Sequence, residues 1–216
     1  MAPRTSASSG TASSSRTHSS AKNAIVKLLK EDHKKAKAAF KAFEKMDPHE
    51  DPEGCQALVE QTCAELEVHA ELEEQLFYPA AREAIKEEDL IEEAEVEHMT
   101  FKVLLEQLKK LEVEDEKYAA TFKVLGEYVQ HHVKEEEGEM FKQLANDEAD
   151  WPSVRDQMLA RRGELLEEKG LPAEEATAST ARASARSAAA SSTRAGSPSS
   201  PHREARPQPA DDAEDE

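Results

Sequence analysis

Four long segments of this 216-residue chain repeat apolar residues every three or four positions, which is the spacing of one face of an α-helix. They span roughly 22–46, 54–85, 88–112 and 116–146, and Pro and Gly mark breaks such as DPHEDPEG. A shorter fifth helix is predicted at about 153–168, with Ser153 as its N-cap. The sequence has no runs in which β-branched residues alternate with polar ones, as they do in β-strands. The pattern therefore predicts an all-α fold, an antiparallel up-down four-helix bundle with a short fifth C-terminal helix.

The two ends of the chain carry too little apolar surface to fold with the bundle. Residues 1–20 contain no Leu, Ile, Val or Phe, and residues 172–216 contain no Leu, Ile, Val or aromatic residue. Ordering such segments costs conformational entropy, and they can bury too little apolar area to offset that cost. We predict a disordered N-terminal tail over 1–21, the bundle over 22–170, and a disordered Ala/Ser/Arg/Pro-rich tail over 171–216.

Charge and cysteine content narrow the possible partners and compartment. The chain has 46 acidic and 28 basic residues, a net charge of −18, which disfavours nucleic acid and anionic membranes as partners. No apolar run approaches the roughly 20 residues that cross a bilayer. Cys55 and Cys63 are too few for a disulfide scaffold, so a reducing, cytoplasmic location is expected.

Each of the four apolar stripes has a histidine at its middle, and two stripes continue with a glutamate one turn later. The histidines are His33, His69, His98 and His132, and the glutamates are Glu73 and Glu136. The stripes offer no obvious inward Lys or Arg, and an unpartnered buried carboxylate costs several kcal/mol. A bound cation would remove that cost.

The positions of these residues along the helices are compatible with a common level in the bundle. In an antiparallel pair, residues at one level are equidistant from the connecting turn. The midpoint of His33 and His69 falls in the DPHEDPEG turn, and that of His98 and His132 falls in the acidic loop 112–116. The midpoint of His69 and His98 lies before the loop that connects their helices, by about one turn of α-helix. Four imidazoles and two carboxylates are thus expected to converge.

Single members of this set have ordinary explanations, but the set as a whole favours a metal site. A lone histidine on an apolar face is usually a hydrogen-bonded core residue, and an isolated His-x-x-x-Glu pair is usually a surface contact. Four such histidines with two such pairs are harder to explain independently. The fourth helix leaves choices open. These are His131 or His132, and Glu135, Glu136 or Glu137, although the phase of the stripe favours His132 with Glu136.

The segments LLKEDH, HAELEEQLFYP, VEH and HHVKEEEGEMF resemble the hemerythrin-like (HHE cation-binding) family over about residues 22–170. The resemblance implies two non-haem irons, bridged by carboxylates and an oxo or hydroxo group, with O₂, peroxide or NO as the small-molecule ligand. By position it implies terminal nitrogen ligands at His33, His69, His98 and His132, and bridging carboxylates at Glu73 and Glu136. Tyr78 and Glu97 are expected nearby.

One departure from the family's oxygen carriers shapes the expected function. The carriers have a second histidine one turn from the first on the third helix, where this chain has Ala94 and Lys102 around His98. The difference favours sensing, iron or oxygen handling, or oxidative-stress protection over reversible carriage. The alternatives are a peroxide-degrading enzyme on the same site and a metal-free acidic helical interaction module. The mixed ligands also fit manganese or zinc, so the resemblance alone selects iron.

Overall fold

The structure is a computed structural model that describes residues 11–87, 89–144 and 149–172, and none of these residues lies in a strand. Four helical arms form the bundle. Two of them, the second and the fourth, contain a π-helical turn, Glu73–Phe77 and Glu136–Met140 respectively. The α-helices are α1 Thr11–Phe43, α2 Pro52–Leu72, α3 Tyr78–Ala84, α4 Asp89–Leu108, α5 Glu116–Glu135, α6 Phe141–Gln143 and α7 Trp151–Glu168. The predicted all-α bundle with a fifth helix is confirmed, with α7 as that helix.

Helices α2 and α7 begin in the same way, with an aspartate N-cap and a proline in the first turn. The Asp51 side chain accepts a hydrogen bond from the Gly54 amide at 3.0 Å, and Asp150 does the same for Ser153 at 3.3 Å. A proline occupies the first turn of each helix, where its missing N–H leaves no bond unmade. The prediction of Ser153 as N-cap was therefore wrong, because the cap is Asp150 and the helix begins at Trp151.

The first helix begins at Thr11 rather than near residue 22, so residues 11–21 are helical although we predicted them in a disordered tail. The expectation relied on large apolar side chains, which this segment lacks. Alanine has the highest helix propensity, and Ala21 is fully buried in the core. The rest of the predicted tails, residues 1–10 and 173–216, lies outside the described residues.

Two apolar clusters fill the bundle, one toward each end. One contains Ile25, Leu29, Leu72, Phe77, Ile91, Met140 and Trp151 among others. The other contains Phe40, Phe43, Val59, Leu66, Phe101, Leu105, Phe122 and Leu125 among others. Along α1 the two clusters are separated at His33, since Leu29 belongs to the first cluster and Ala36 to the second. A polar layer therefore lies between two apolar layers.

The fifth helix closes the first cluster from outside the four arms. Trp151, Met158 and Leu165 of α7 are each at most 1% exposed, and α7 packs on α1 and α2. Burying an aromatic or large aliphatic side chain contributes about 1.5–3 kcal/mol. The same helix brings a buried arginine, Arg162, to Asp32 of α1. None of the helices in the described part of the chain is long and apolar enough to cross a membrane.

Candidate metal centre

Six polar side chains form the layer between the two apolar clusters, and each is at most 4% exposed. They come from all four arms of the bundle. They are His33 of α1, His69 of α2, Glu73 of the first π turn, His98 of α4, His132 of α5 and Glu136 of the second π turn. The structure thus brings together the six residues that the phase of the stripes favours as ligands.

The Nε2 atoms of the four imidazoles point at one another in two pairs. Nε2 of His33 lies 3.2 Å from Nε2 of His69, and Nε2 of His98 lies 3.3 Å from Nε2 of His132. In the absence of a cation, such a contact is acceptable only with a proton between the two nitrogens, because two imidazole lone pairs repel each other. Each pair therefore provides two nitrogen ligands directed at one position.

Each of the two buried carboxylates reaches both imidazole pairs. Glu73 Oε2 lies 3.1 Å from His69 Nε2 and 3.4 Å from His98 Nε2. Glu136 Oε2 lies 3.2 Å from His33 Nε2 and 3.6 Å from His132 Nε2. Both glutamates therefore occupy the place of a bridge between two cation positions.

Glu73 and Glu136 are each the first residue of a π turn. The turns Glu73–Phe77 and Glu136–Met140 follow a shared pattern, His-x-x-x-Glu-Glu, which begins at His69 and at His132. A π turn adds a residue to the helical turn and is frequently found at functional sites. Here it lets the helix place the first glutamate of the pair in the layer and the second at its edge.

A second ring of carboxylates lies against the Nδ1 atoms of the same histidines. Glu137 lies 3.1 Å from His33 Nδ1, Glu74 lies 2.9 Å from His98 Nδ1, Glu97 lies 2.9 Å from His132 Nδ1 and Asp32 lies 3.5 Å from His69 Nδ1. A carboxylate at Nδ1 fixes the ring orientation and keeps the Nε2 lone pair free for a metal. The outer ring is therefore arranged to present four nitrogens inward.

This outer ring has an approximate internal twofold relation in the sequence. Asp32 directly precedes His33 as Glu97 precedes His98, and Glu74 and Glu137 directly follow the two bridging glutamates. Sequence reasoning singled out Glu97 alone in this role and missed Asp32 and Glu74. The signal was present, because an acid stands directly next to four of the six ligand candidates, two in each half of the chain.

The two halves differ in the residue that follows each π turn. Tyr78 places its hydroxyl oxygen 3.1 Å from His98 Nε2 and 3.1 Å from Glu136 Oε1, to which it donates. The matching residue is Phe141, whose ring stacks parallel to His33 at 6.1 Å. Burial, with the nearby Glu136 and Glu73 carboxylates, raises the pKa of the Tyr78 hydroxyl well above its usual value. It therefore stays a proton donor at the layer.

The electrostatics of the layer fit a cation. Burial disfavours the charged forms of His69 and Glu73, but the electrostatic attraction between the two side chains is stronger than this effect. The pKa of His69 is held well above its usual value, and the pKa of Glu73, between His69 and His98, well below. Glu73 Oε1 and Glu136 Oε2 accept no hydrogen bond from the part of the chain that the structure describes. Imidazole nitrogens with such carboxylate oxygens suit iron, manganese or zinc.

The alternative ligands on the fourth arm lie outside the buried layer. The His131 side chain is 55% exposed and lies 3.3 Å from Glu97 and 3.1 Å from Glu135. The Glu137 side chain is 29% exposed and contacts the outer nitrogen of His33. The geometry therefore assigns the inward positions to His132 and Glu136, as the phase of the stripe favoured.

The fold and this layer define a class of protein, a helical bundle with a buried cation site of nitrogen and oxygen ligands. The family model described as Hemerythrin HHE cation binding domain matches residues 24–144, more than half of the chain. The chain belongs to that family, and the resemblance seen in its sequence is confirmed.

Two known proteins show how far the likeness extends. A protein named DNA nickase from Nostoc sp. is 30% identical over 122 residues, which are 56% of this chain and 34% of that protein. This chain therefore spans about a third of that relative. The crystal structure of a hemerythrin HHE cation binding domain-containing protein from Mycobacterium kansasii matches with a TM-score of 0.54 and 23% identity. That match covers 66% of this chain and 89% of the other, and it supports the fold.

Proposed function

We propose that the buried layer holds two non-haem irons and that through them the protein binds or reacts with O₂, peroxide or NO, in sensing, iron and oxygen handling or oxidative-stress protection. The observation that carries the proposal is the convergence of four Nε2 atoms and two carboxylates in one buried layer. Two overlapping groups, each with two histidines, share Glu73. The bound metal would supply electrons and an open coordination position.

The chain's own residues prepare the layer for that chemistry. The outer carboxylates orient the imidazoles, and the apolar clusters on both sides keep water away from the metal positions. The Tyr78 hydroxyl donates to Glu136 Oε1 at 3.1 Å and would be the hydrogen-bond donor for a small ligand that gains negative charge at the layer. Neither half of the layer has a third histidine, and the small Ala94, one turn before His98, leaves the side of His132 open. That open side favours a reactive or sensing site over reversible carriage.

Metal content and absorption test the proposal directly. Protein purified from iron-replete cells is expected to carry about two irons per chain, with a ligand-to-metal band that bleaches on anaerobic reduction and returns in air. Replacing His69 and Glu73 together (H69A/E73A) removes one nitrogen ligand and one of the two carboxylates that reach both imidazole pairs, so iron binding should be abolished.

The chain offers a matched control for this experiment. His49 and Glu53 have the same i, i+4 spacing as His69 and Glu73 but are exposed near the first turn of the bundle. The H49A/E53A variant should keep the iron and the absorption band. If purified wild-type protein carries no iron, and H69A/E73A unfolds no earlier than wild type, the di-iron proposal is wrong and a metal-free interaction module takes its place.

Two other activities receive less support. A peroxide-degrading activity on the same site would appear as turnover of peroxide by the iron-loaded protein, and H69A/E73A should abolish it. DNA nicking, which the name of the Nostoc protein gives, is disfavoured because a chain of net charge −18 repels DNA.

A further inference from the structure

A small cavity lies beside one half of the layer, between α4 and the fourth arm. Its inner end is lined by His132 and Glu136, its apolar side by Ala94 and Met140, and its outer side by Glu97 and Glu135. The space has room for about one water-sized particle. Ala94, one turn before His98, has a small side chain that leaves this side of the layer open.

We propose that this cavity is the route by which a divalent metal ion reaches the buried layer, with Glu97, His131 and Glu135 as a transient cation site at its mouth. The inference rests on the proposed function, because it names how the same centre is loaded. Ligand atoms of these three residues lie within 4.8 Å of one another, close enough to share one ion.

The carboxylates along this path are progressively more buried toward the layer. The side chain of Glu135 is 27% exposed, that of Glu97 is 13% and that of Glu136 is 1%. His131, at 55%, lies outermost, with its Nε2 atom 3.3 Å from Glu97 and 3.1 Å from Glu135. An ion that passes inward therefore exchanges one oxygen ligand for the next and is not stripped of all its ligands at once.

Glu97 and Glu136 connect the mouth to the layer. Glu97 faces His131 with one oxygen and contacts His132 Nδ1 with the other at 2.9 Å. Glu136 lines the cavity and has one buried oxygen, Oε2, that accepts no hydrogen bond from the described residues. This oxygen lies 3.2 Å from His33 Nε2 without forming a hydrogen bond to it. A buried acceptor without a donor costs about 1–3 kcal/mol, which an arriving cation would remove. The inner end of the route thus attracts a cation.

The charge of the mouth selects the class of particle. Two carboxylates at a narrow opening raise the local concentration of cations and accelerate their association by tenfold or more at low salt. A neutral diatomic molecule gains nothing from them. The geometry therefore points to a divalent cation, such as Fe²⁺, as the particle that this mouth is built to admit.

The rate of metal uptake by the full-length apoprotein tests the inference. Co²⁺ is mixed with protein at low ionic strength, and the rise of its visible absorption bands is followed by stopped flow. The H131A/E135A variant removes two mouth ligands and leaves the six buried ligands unchanged. Its uptake should be about tenfold slower than that of wild type, with the same final two ions per chain. The difference should shrink in about 0.5 M NaCl, because salt screens exposed charges.

Two further variants separate charge from shape. H49A/E53A removes the same two residue types far from the cavity and should load at the wild-type rate. Ala94→Leu fills the cavity with apolar atoms, so its uptake should be slow at every salt concentration. The far-UV circular dichroism melt of each apoprotein checks that it is folded.

Each outcome bears on a different claim. Wild-type uptake rates for H131A/E135A, or for folded Ala94→Leu, would overturn the proposed route while the metal centre stands. If wild-type protein takes up no Co²⁺ in the buried layer, the metal centre and its route are both wrong.

Discussion

Arg162 of α7 is expected to stabilise the metal layer from outside the four-helix bundle, through Asp32 and His69. Its guanidinium nitrogens donate to both oxygens of Asp32 at 2.7 and 2.8 Å, and Asp32 lies 3.5 Å from His69 Nδ1. The arginine and aspartate side chains are 10% and 12% exposed. Removal of the guanidinium would leave a mostly buried carboxylate without its main partner.

Two estimates give the size of the effect of Arg162→Met. Breaking a buried ion pair by removing one partner costs about 3–5 kcal/mol, and the residual exposure lowers that figure. Burial tends to raise the pKa of Asp32, but His69 and Arg162 outweigh it and hold the pKa at about 2. A depression from the usual value near 4 is worth about 2.5 kcal/mol above pH 4 and is lost as pH falls toward 2. We expect a loss of about 2–4 kcal/mol.

Urea unfolding of the apoprotein at neutral pH measures this loss, and the thermal midpoint should fall by roughly 4–16 °C. In a double-mutant cycle, Asp32→Asn with Arg162→Met should cost less than the sum of the single variants by at least about 1.5 kcal/mol. Because Asp32 orients His69, Arg162→Met should also weaken metal binding by about 10- to 100-fold. A stability loss under about 1 kcal/mol, or additive single variants, would refute the reasoning.

Three further predictions concern packing, a thiol and the tyrosine at the layer. A Cβ at Gly126 would lie 2.9 Å from the Phe40 ring, whereas one at Gly163 would meet nothing within 4 Å. In urea unfolding, G126A should therefore lower the free energy of unfolding by about 1–2 kcal/mol, and G163A should raise it by about 0.5–1 kcal/mol. A change in the same direction for both variants would contradict this. Burial raises the pKa of the Cys63 thiol to about 12, so unfolding frees a more acidic thiol and stability should fall by about 1 kcal/mol per pH unit above about pH 9. Cys63→Ala should flatten that slope between about pH 9 and 10, and an unchanged slope would place its cause elsewhere. Tyr78→Phe should keep the fold and both metal ions but shift the ligand-to-metal band, and an unchanged spectrum would exclude the hydroxyl from the site.

The sequence was sufficient to predict the fold and the inner layer because both depend on periodicity. An apolar repeat of three to four residues identifies the buried face of each helix, and a histidine on that face must enter the core. Ser153 and the start of α1 were mispredicted for a different reason. Helix ends depend on which side chain meets an open backbone amide and on alanine propensity, and neither changes the apolar repeat.

The outer carboxylates were harder to predict because their spacing is that of a solvated face. Glu74 and Glu137 follow the bridging glutamates within acidic runs, and only the π turns show that they meet His98 and His33. The apolar repeat could not predict the ion pair of Arg162 with Asp32, because the two residues are 130 positions apart and Arg162 lies on a helix outside the four arms. Long-range ion pairs leave no periodic trace in one sequence.

The structure also shows that two halves with matching ligands have different surroundings. The His33 and His69 half has the Phe141 ring against His33 and Arg162 acting on His69 through Asp32. The His98 and His132 half has the Tyr78 hydroxyl and the cavity. An open side with a proton donor is where a small ligand can be bound and polarised, whereas a buried ion pair keeps the geometry of the other half fixed. Two metal ions in this layer would therefore be chemically distinct, and the difference originates in residues that the shared His and Glu pattern does not include.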